Sequence, residues 1–349
     1  MKNIQVFLIC IVLSACKTTF DGQSKLASEV IKGPLPAEVY RQWQEHIRAE
    51  TEGKQIQPDC QPTYFPASDE VPFQGIVVFF HGFTACPQQY FSIGSQLADH
   101  GFEVFLPLMP GQGREPRDGP GGNDDNYYDL PGGKDKDRYQ NFVDRMNAMA
   151  RAATGTKVIA GLSGGGSLAT GAAIHGKDIW DRILVYAPYY KNPGMSGVAS
   201  AALDVLWPSF KNDWGPECRE NRRQLGGRAG LCALSIDAVR AMTDYGIYAS
   251  SRAGEIEIPM QIAGVEHDPT ADNGEINRVF QKLKNANLCF YVKGVPHSII
   301  NPKSDAPKLD PFWVPAMEED SIAFITKGEW FKTDGSSIEY SQPRCRASL

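Results

Sequence analysis

Long apolar runs are scarce in this sequence, and that limits what it can be. A bilayer-spanning helix needs about 20 consecutive apolar residues, and the apolar stretch near the N-terminus, Val6 to Leu13, is too short for a mature span. There is no Cys-x-x-Cys pair and no cluster of Cys with His, so the ligand spacing of a zinc site is missing. Positive charge is not in surplus: 35 Lys and Arg stand against 41 Asp and Glu, a formal net charge of −6. That balance argues against a surface built to attract nucleic acid. The one basic run, Arg219, Arg222, Arg223 and Arg228, lacks apolar spacing and reads as a solvated loop. What remains is ordinary globular composition, 42% hydrophobic and 22% charged over 349 residues. A chain of that length can bury a full core, as one large domain or as a core with an insertion.

The N-terminus reads as a targeting segment rather than as part of the fold. Met1-Lys2 carries one positive charge, the apolar stretch follows, and Leu13-Ser14-Ala15-Cys16 resembles the bacterial lipobox. That resemblance implies removal of residues 1–15 and lipidation of Cys16, giving an exported protein held in the bacterial cell envelope by a membrane anchor. Several acyl chains on one residue anchor stably, at about 0.8 kcal/mol per buried methylene. Export also changes how cysteine reads. Cys60, Cys86, Cys218, Cys232, Cys289 and Cys345 remain, an even number that suits disulfides in an oxidising compartment. Sequence does not choose among the pairings, though Cys218 with Cys232 would close a short loop inside one segment.

Beyond a polar tether the spacing of Val39, Trp43 and Ile47 predicts an amphipathic helix over 37–50, and residues 16–60 form the tether and this helix. Short runs rich in Val, Ile and Phe at 75–80, 103–108, 157–161, 182–186, 259–263 and 288–292 read as strands. Between and after them, helices are expected at 88–99, 135–152, 164–175, 273–284 and 318–327. This alternation belongs to an α/β fold with a mostly parallel sheet covered on both faces. The core would comprise 61–190 and 255–332, with a tail over 333–349 that lacks periodicity, though Cys345 could pin it. Residues 114–134, dense in Gly, Asp, Asn and Pro, read as a long loop. Its cluster Asn123-Asp124-Asp125-Asn126 lacks the regular ligand spacing of a calcium loop and reads as a solvated turn. Residues 191–254 separate two core strands by more than a crossover needs. With Leu206, Trp207, Phe210, Trp214, Tyr245 and Tyr248 they read as an inserted cap, whose aromatics line the site, form a small core of their own, or do both.

Gly161-Leu162-Ser163-Gly164-Gly165 sits between an apolar run and a small-residue helix start. That is the strand–turn–helix setting of a nucleophile elbow, and it makes Ser163 the candidate nucleophile. A serine at its free pKa needs a base, and the base needs an orienting acid. Of the six histidines, only His267 and His297 follow the elbow helix. His297 lies in a loop after the last core run. Asp268, in Gly264-Val265-Glu266-His267-Asp268-Pro269, is the favoured acid, with Glu266 and Asp272 as alternatives.

His81-Gly82-Phe83-Thr84 directly after the run Ile76–Phe80 makes the chain resemble the α/β-hydrolase superfamily, in its carboxylesterase and monoacylglycerol-lipase-like, serine-aminopeptidase-like branch. The resemblance covers 75–327, with the cap unmatched. It implies that the backbone N–H groups of Phe83 and Gly164 form an oxyanion hole and that His81 braces the loop. It further implies a Ser163–His297–Asp268 triad acting on a small-molecule ester or lipid, without metal or organic cofactor. Leu108-Met109-Pro110-Gly111-Gln112-Gly113 departs from the family's Leu-Pro-Gly-His-Gly turn by an inserted Met and by Gln for His. A peptidase or amidase on the same scaffold is the main alternative, for which an amine-binding acid among Asp204, Asp213, Glu217 and Glu220 would be needed. A lipoprotein that binds without catalysing is the third reading.

Overall fold

The apolar runs become neighbouring strands because a strand buried on both faces has no polar side to show. The computed structural model describes residues 33–116, 129–133, 135, 137–193, 211–213, 217–220, 230–301 and 310–348. Outside these lie Cys16 and the targeting segment, the Asn123–Asn126 cluster, Asp204, Leu206, Trp207, Phe210, Trp214, Arg222, Arg223 and Arg228.

The strands are β1 (Thr63–Phe65), β2 (Gly75–Phe80), β3 (Phe102–Leu106), β4 (Thr156–Leu162), β5 (Arg182–Tyr186), β6 (Lys211–Asp213), β7 (Ala233–Ser235), β8 (Met260–Val265), β9 (Ala286–Tyr291), β10 (Thr333–Ser337) and β11 (Pro343–Cys345). Nine of them form one sheet in the order β1-β3-β2-β4-β5-β8-β9-β11-β10. The inner pairs are parallel, and β1 and β10 close the edges antiparallel. The order turns back after β3, so the chain leaves β2 in one direction and continues through β4 in the other. That places a topological switch between β2 and β4, where the crevice beyond the strand ends receives ligands in open α/β sheets.

The helices are α1 (Ala37–Thr51), α2 (Phe91–Asp99), α3 (Asp137–Ala152), α4 (Gly164–His175), α5 (Ile236–Arg252), α6 (Asn273–Lys282) and α7 (Val314–Lys327). Alternate residues of β2 divide between the two layers. Ile76, Val78 and Phe80 join Trp43 of α1, Phe142 of α3, Leu168 of α4 and Ile276 of α6. Val77 and Phe79 face Ile93 and Leu97 of α2 and Met317 and Phe324 of α7.

Three disulfides join Cys60 to Cys86, Cys218 to Cys232 and Cys289 to Cys345. The second is the pair that the short loop suggested. The third holds β11 beside β9 and brings the aperiodic tail into the sheet as two strands. Thr333 to Ser337 is polar and largely exposed, so no hydrophobic alternation marked it. In the long segment after β5, α5 was not anticipated either. It lies along α4, with Tyr245 against Gly171 and the Tyr248 hydroxyl 2.6 Å from His175 Nε2. These two aromatics therefore serve helix packing toward the end of α4 remote from Ser163. No helix among the described residues is long and apolar enough to cross a membrane.

Candidate active site

Ser163 follows β4 and caps α4 at φ 55°, ψ −121°, a conformation that a non-glycine residue adopts only under tertiary constraint. The constraints are visible. Its N–H donates to Tyr186 O at 2.9 Å, and its carbonyl accepts from Ser167 and Tyr189 N–H at 3.2 and 3.0 Å. The neighbouring glycines allow the crossing: a Cβ on Gly165 would fall on the carbonyl oxygens of Phe80 and His81, and one on Gly161 on the backbone of Gly165. The turn lifts the hydroxyl to the C-terminal edge of the sheet, at the positive end of α4.

His297 lies in the loop beyond β9. Its Nε2 is 2.8 Å from Ser163 Oγ and its Nδ1 2.7 Å from Asp268 Oδ2. The Asp268 side chain is fully buried and that of His297 is 13% exposed. Asp268 Oδ1 accepts the N–H groups of Thr270 at 2.7 Å and Ala271 at 3.0 Å. One carboxylate oxygen is thus held by the loop and the other left for the imidazole. The loop is fixed next to His297, where Ile299 N–H donates to His297 O at 2.8 Å and Trp313 Nε1 donates to Ile299 O at 3.0 Å.

The two alternative acids do other work. Glu266 accepts Lys293 N–H at 2.9 Å. Asp272 caps α6 by accepting Glu275 N–H at 2.9 Å, the usual task of an Asp at that position. His267, at φ 57°, turns away from Asp268 and pairs with Glu339 at 2.7 Å. His81 is fully buried between Gly82 O, 2.9 Å from Nδ1, and Met109 N–H, which donates to Nε2 at 3.0 Å. Burial lowers its pKa to about 4, so it is a neutral bracing group.

Phe83 and Gly164 face each other across the site: a Cβ on Gly164 would lie 3.0 Å from Phe83 Cβ and 3.0 Å from Met242 Sδ. Neither residue's N–H has a partner among the described residues. Met242, on α5, is fully buried. Leu130, Leu231, Leu234 and Ala238 form an apolar cluster against Phe83. Nothing in the local sequence pattern of these residues points to Ser163. Glu217 and Glu220, considered for amine binding, are exposed. Among the described residues no group of acids, His and Cys could hold a metal ion.

A strained serine at the strand–helix turn of this sheet defines a serine hydrolase of the α/β-hydrolase fold. Residues 72–304 match the family described as serine aminopeptidase, S33, and the chain belongs to that family. Similar solved structures include one from work on the metagenome-derived lipolytic enzymes LipS and LipT, at 17% identity, covering 78% of this chain and 100% of that one with a TM-score of 0.56. A monoacylglycerol lipase of Paleococcus ferrophilus is similar at 16% identity over 77% of this chain and 98% of its own, TM-score 0.57. A soluble variant of the monoglyceride lipase of Saccharomyces cerevisiae, in complex with a substrate analog, is 16% identical over 85% and 99%, TM-score 0.56. At such identities the likeness is one of fold. No curated protein matches.

Proposed function

We propose that the chain hydrolyses carboxylic esters with an apolar acyl group, using Ser163, His297 and Asp268. Ser163 Oγ attacks the carbonyl carbon while His297 Nε2 takes its proton. Asp268 holds the Nδ1–H and stabilises the imidazolium. The N–H groups of Phe83 and Gly164 receive the developing oxyanion. The imidazolium then protonates the departing alcohol, and water, deprotonated by His297, resolves the acyl-enzyme to acid and free serine. The observation that carries this reading is the continuous chain Ser163 Oγ, His297, Asp268, at 2.8 and 2.7 Å. The half-buried Phe83, backed by the apolar cluster of Leu130, Leu231, Leu234 and Ala238, supports an apolar acyl group over a charged one. Purified protein should label with a fluorophosphonate probe and turn over p-nitrophenyl butyrate, and Ser163→Ala should do neither. A wild type inert to both would defeat the reading.

The family's description as serine aminopeptidases supports a second reading, cleavage at a peptide N-terminus. Aminoacyl p-nitroanilides turned over faster than matched esters would favour it. We also propose export and lipid anchoring through Cys16, supported by the lipobox-like sequence and by three disulfides, which persist in oxidising compartments. Radiolabelled palmitate should enter the wild type and not Cys16→Ala.

A further inference from the structure

Three successive amides cross the mouth of the site, and the outer two are taken by glutamine side chains. Gly82 N–H donates to Gln89 Oε1 at 2.8 Å, and Thr84 N–H donates to Gln112 Oε1 at 3.0 Å. Between them, the Phe83 N–H has no partner among the described residues. Both glutamines are buried, at 5% and 0% exposure. Each is anchored by its own backbone: Gln89 N–H donates to Cys86 O, and Gln112 N–H donates to Met109 O, both at 3.1 Å. Cys86 is disulfide-linked to Cys60, and Met109 is tied to His81.

The loop needs this support. Thr84 sits at φ 67°, a left-handed conformation that a β-branched residue does not keep by preference. Without an acceptor, a buried N–H at 82 or 84 would seek another, rotating the peptide planes on either side of the one that carries the Phe83 N–H. Glutamine is chemically suited to the task. Its oxygen accepts, and its neutrality adds no negative charge beside a developing oxyanion, where a carboxylate would oppose it.

We propose that Gln89 and Gln112 are positioning residues, a two-sided clamp that aims the Phe83 N–H at the oxyanion. This rests on the acyl-transfer reading above. The test uses the full chain with Gln89→Met, Gln112→Met and both, assayed with p-nitrophenyl butyrate and with an alkyl trifluoromethyl ketone, whose tetrahedral adduct places an oxyanion in the hole. Each single change should lower kcat about 10- to 100-fold, less than the roughly 10²- to 10³-fold lost when a donor is removed outright. KM should stay nearly constant, and the ketone Ki should weaken in proportion to the loss in kcat/KM. Folded variants with unchanged kcat, or a loss in kcat without a matching loss in ketone affinity, would overturn the clamp. If the Met variants do not fold, Gln89→Asn and Gln112→Asn stay polar but withdraw the acceptor by one methylene. Each should lower kcat and weaken the ketone Ki in parallel by about tenfold, and unchanged values in folded protein would overturn the clamp. A wild type that neither cleaves the ester nor binds the ketone would instead defeat the functional reading itself.

Discussion

At Ser163 two demands meet, a strained backbone and a polarised hydroxyl, and both rest on neighbours. Replacing it with Ala should lower kcat at least about 10³-fold, and Ser163→Ala combined with His297→Ala should be little worse than either alone, because the two act as a unit. Asp268→Asn keeps the shape of the acid but not its hold on the imidazole tautomer. It should cost about 10⁴-fold in kcat, whereas Glu266→Gln and Asp272→Asn should leave kcat within a few-fold. Steady-state kinetics on one ester separates these outcomes and decides among the acids that the sequence left open. Gly165→Ala belongs to a different category, since its Cβ would meet the Phe80 and His81 carbonyl oxygens. It should destabilise the fold by about 3 kcal/mol or more in urea titration.

Among the elements, the tail strands β10 and β11 were the least legible. Polar, short and at an edge, they carry no period. Their attachment depends on partners distant in sequence: Cys289, and Asp320, which is 1% exposed and accepts from Arg346 at 2.7 Å. Arg346→Ala would leave that carboxylate buried without its cation and should cost about 3 kcal/mol in urea. The helix α5 was hidden for another reason. It lies in a segment between core strands whose length suggested an insertion, yet its packing on α4 makes it part of the main apolar layer. Its Met242 then borders the site, a position that no local pattern encodes.

For the whole molecule, two buried histidines set a pH dependence. Burial, with nearby Arg145 and Lys54, lowers His46 to about 3, and burial lowers His81 to about 4. In the unfolded chain both titrate near 6.5. Below that value the unfolded chain binds protons that the folded one refuses, so stability is greatest above it and falls on acidification. The slope is about 1.4 kcal/mol per pH unit for each histidine, until pH reaches the folded values. Urea midpoints measured from pH 7 down to 4.5 should decline accordingly. His46→Phe, which removes an imidazole with neither nitrogen hydrogen-bonded among the described residues, should flatten the decline.

The sequence by itself determined the class of fold and the order of its chemistry. Buried parallel strands must read as apolar runs, and an elbow must surround its serine with small residues. Both are local requirements, so 75–80, 182–186 and 164–175 coincide with β2, β5 and α4. Ser163, Asp268 and His297 were nameable because each follows a strand at the same end of the sheet. What only the tertiary structure decided was proximity between distant segments. It chose the three disulfide pairs and turned His267 from Asp268. It also set Gln89 and Gln112 on either side of Phe83 and brought Met242 against Gly164. Contacts of that kind are made by the sheet order and the layers upon it, and no window of residues contains them.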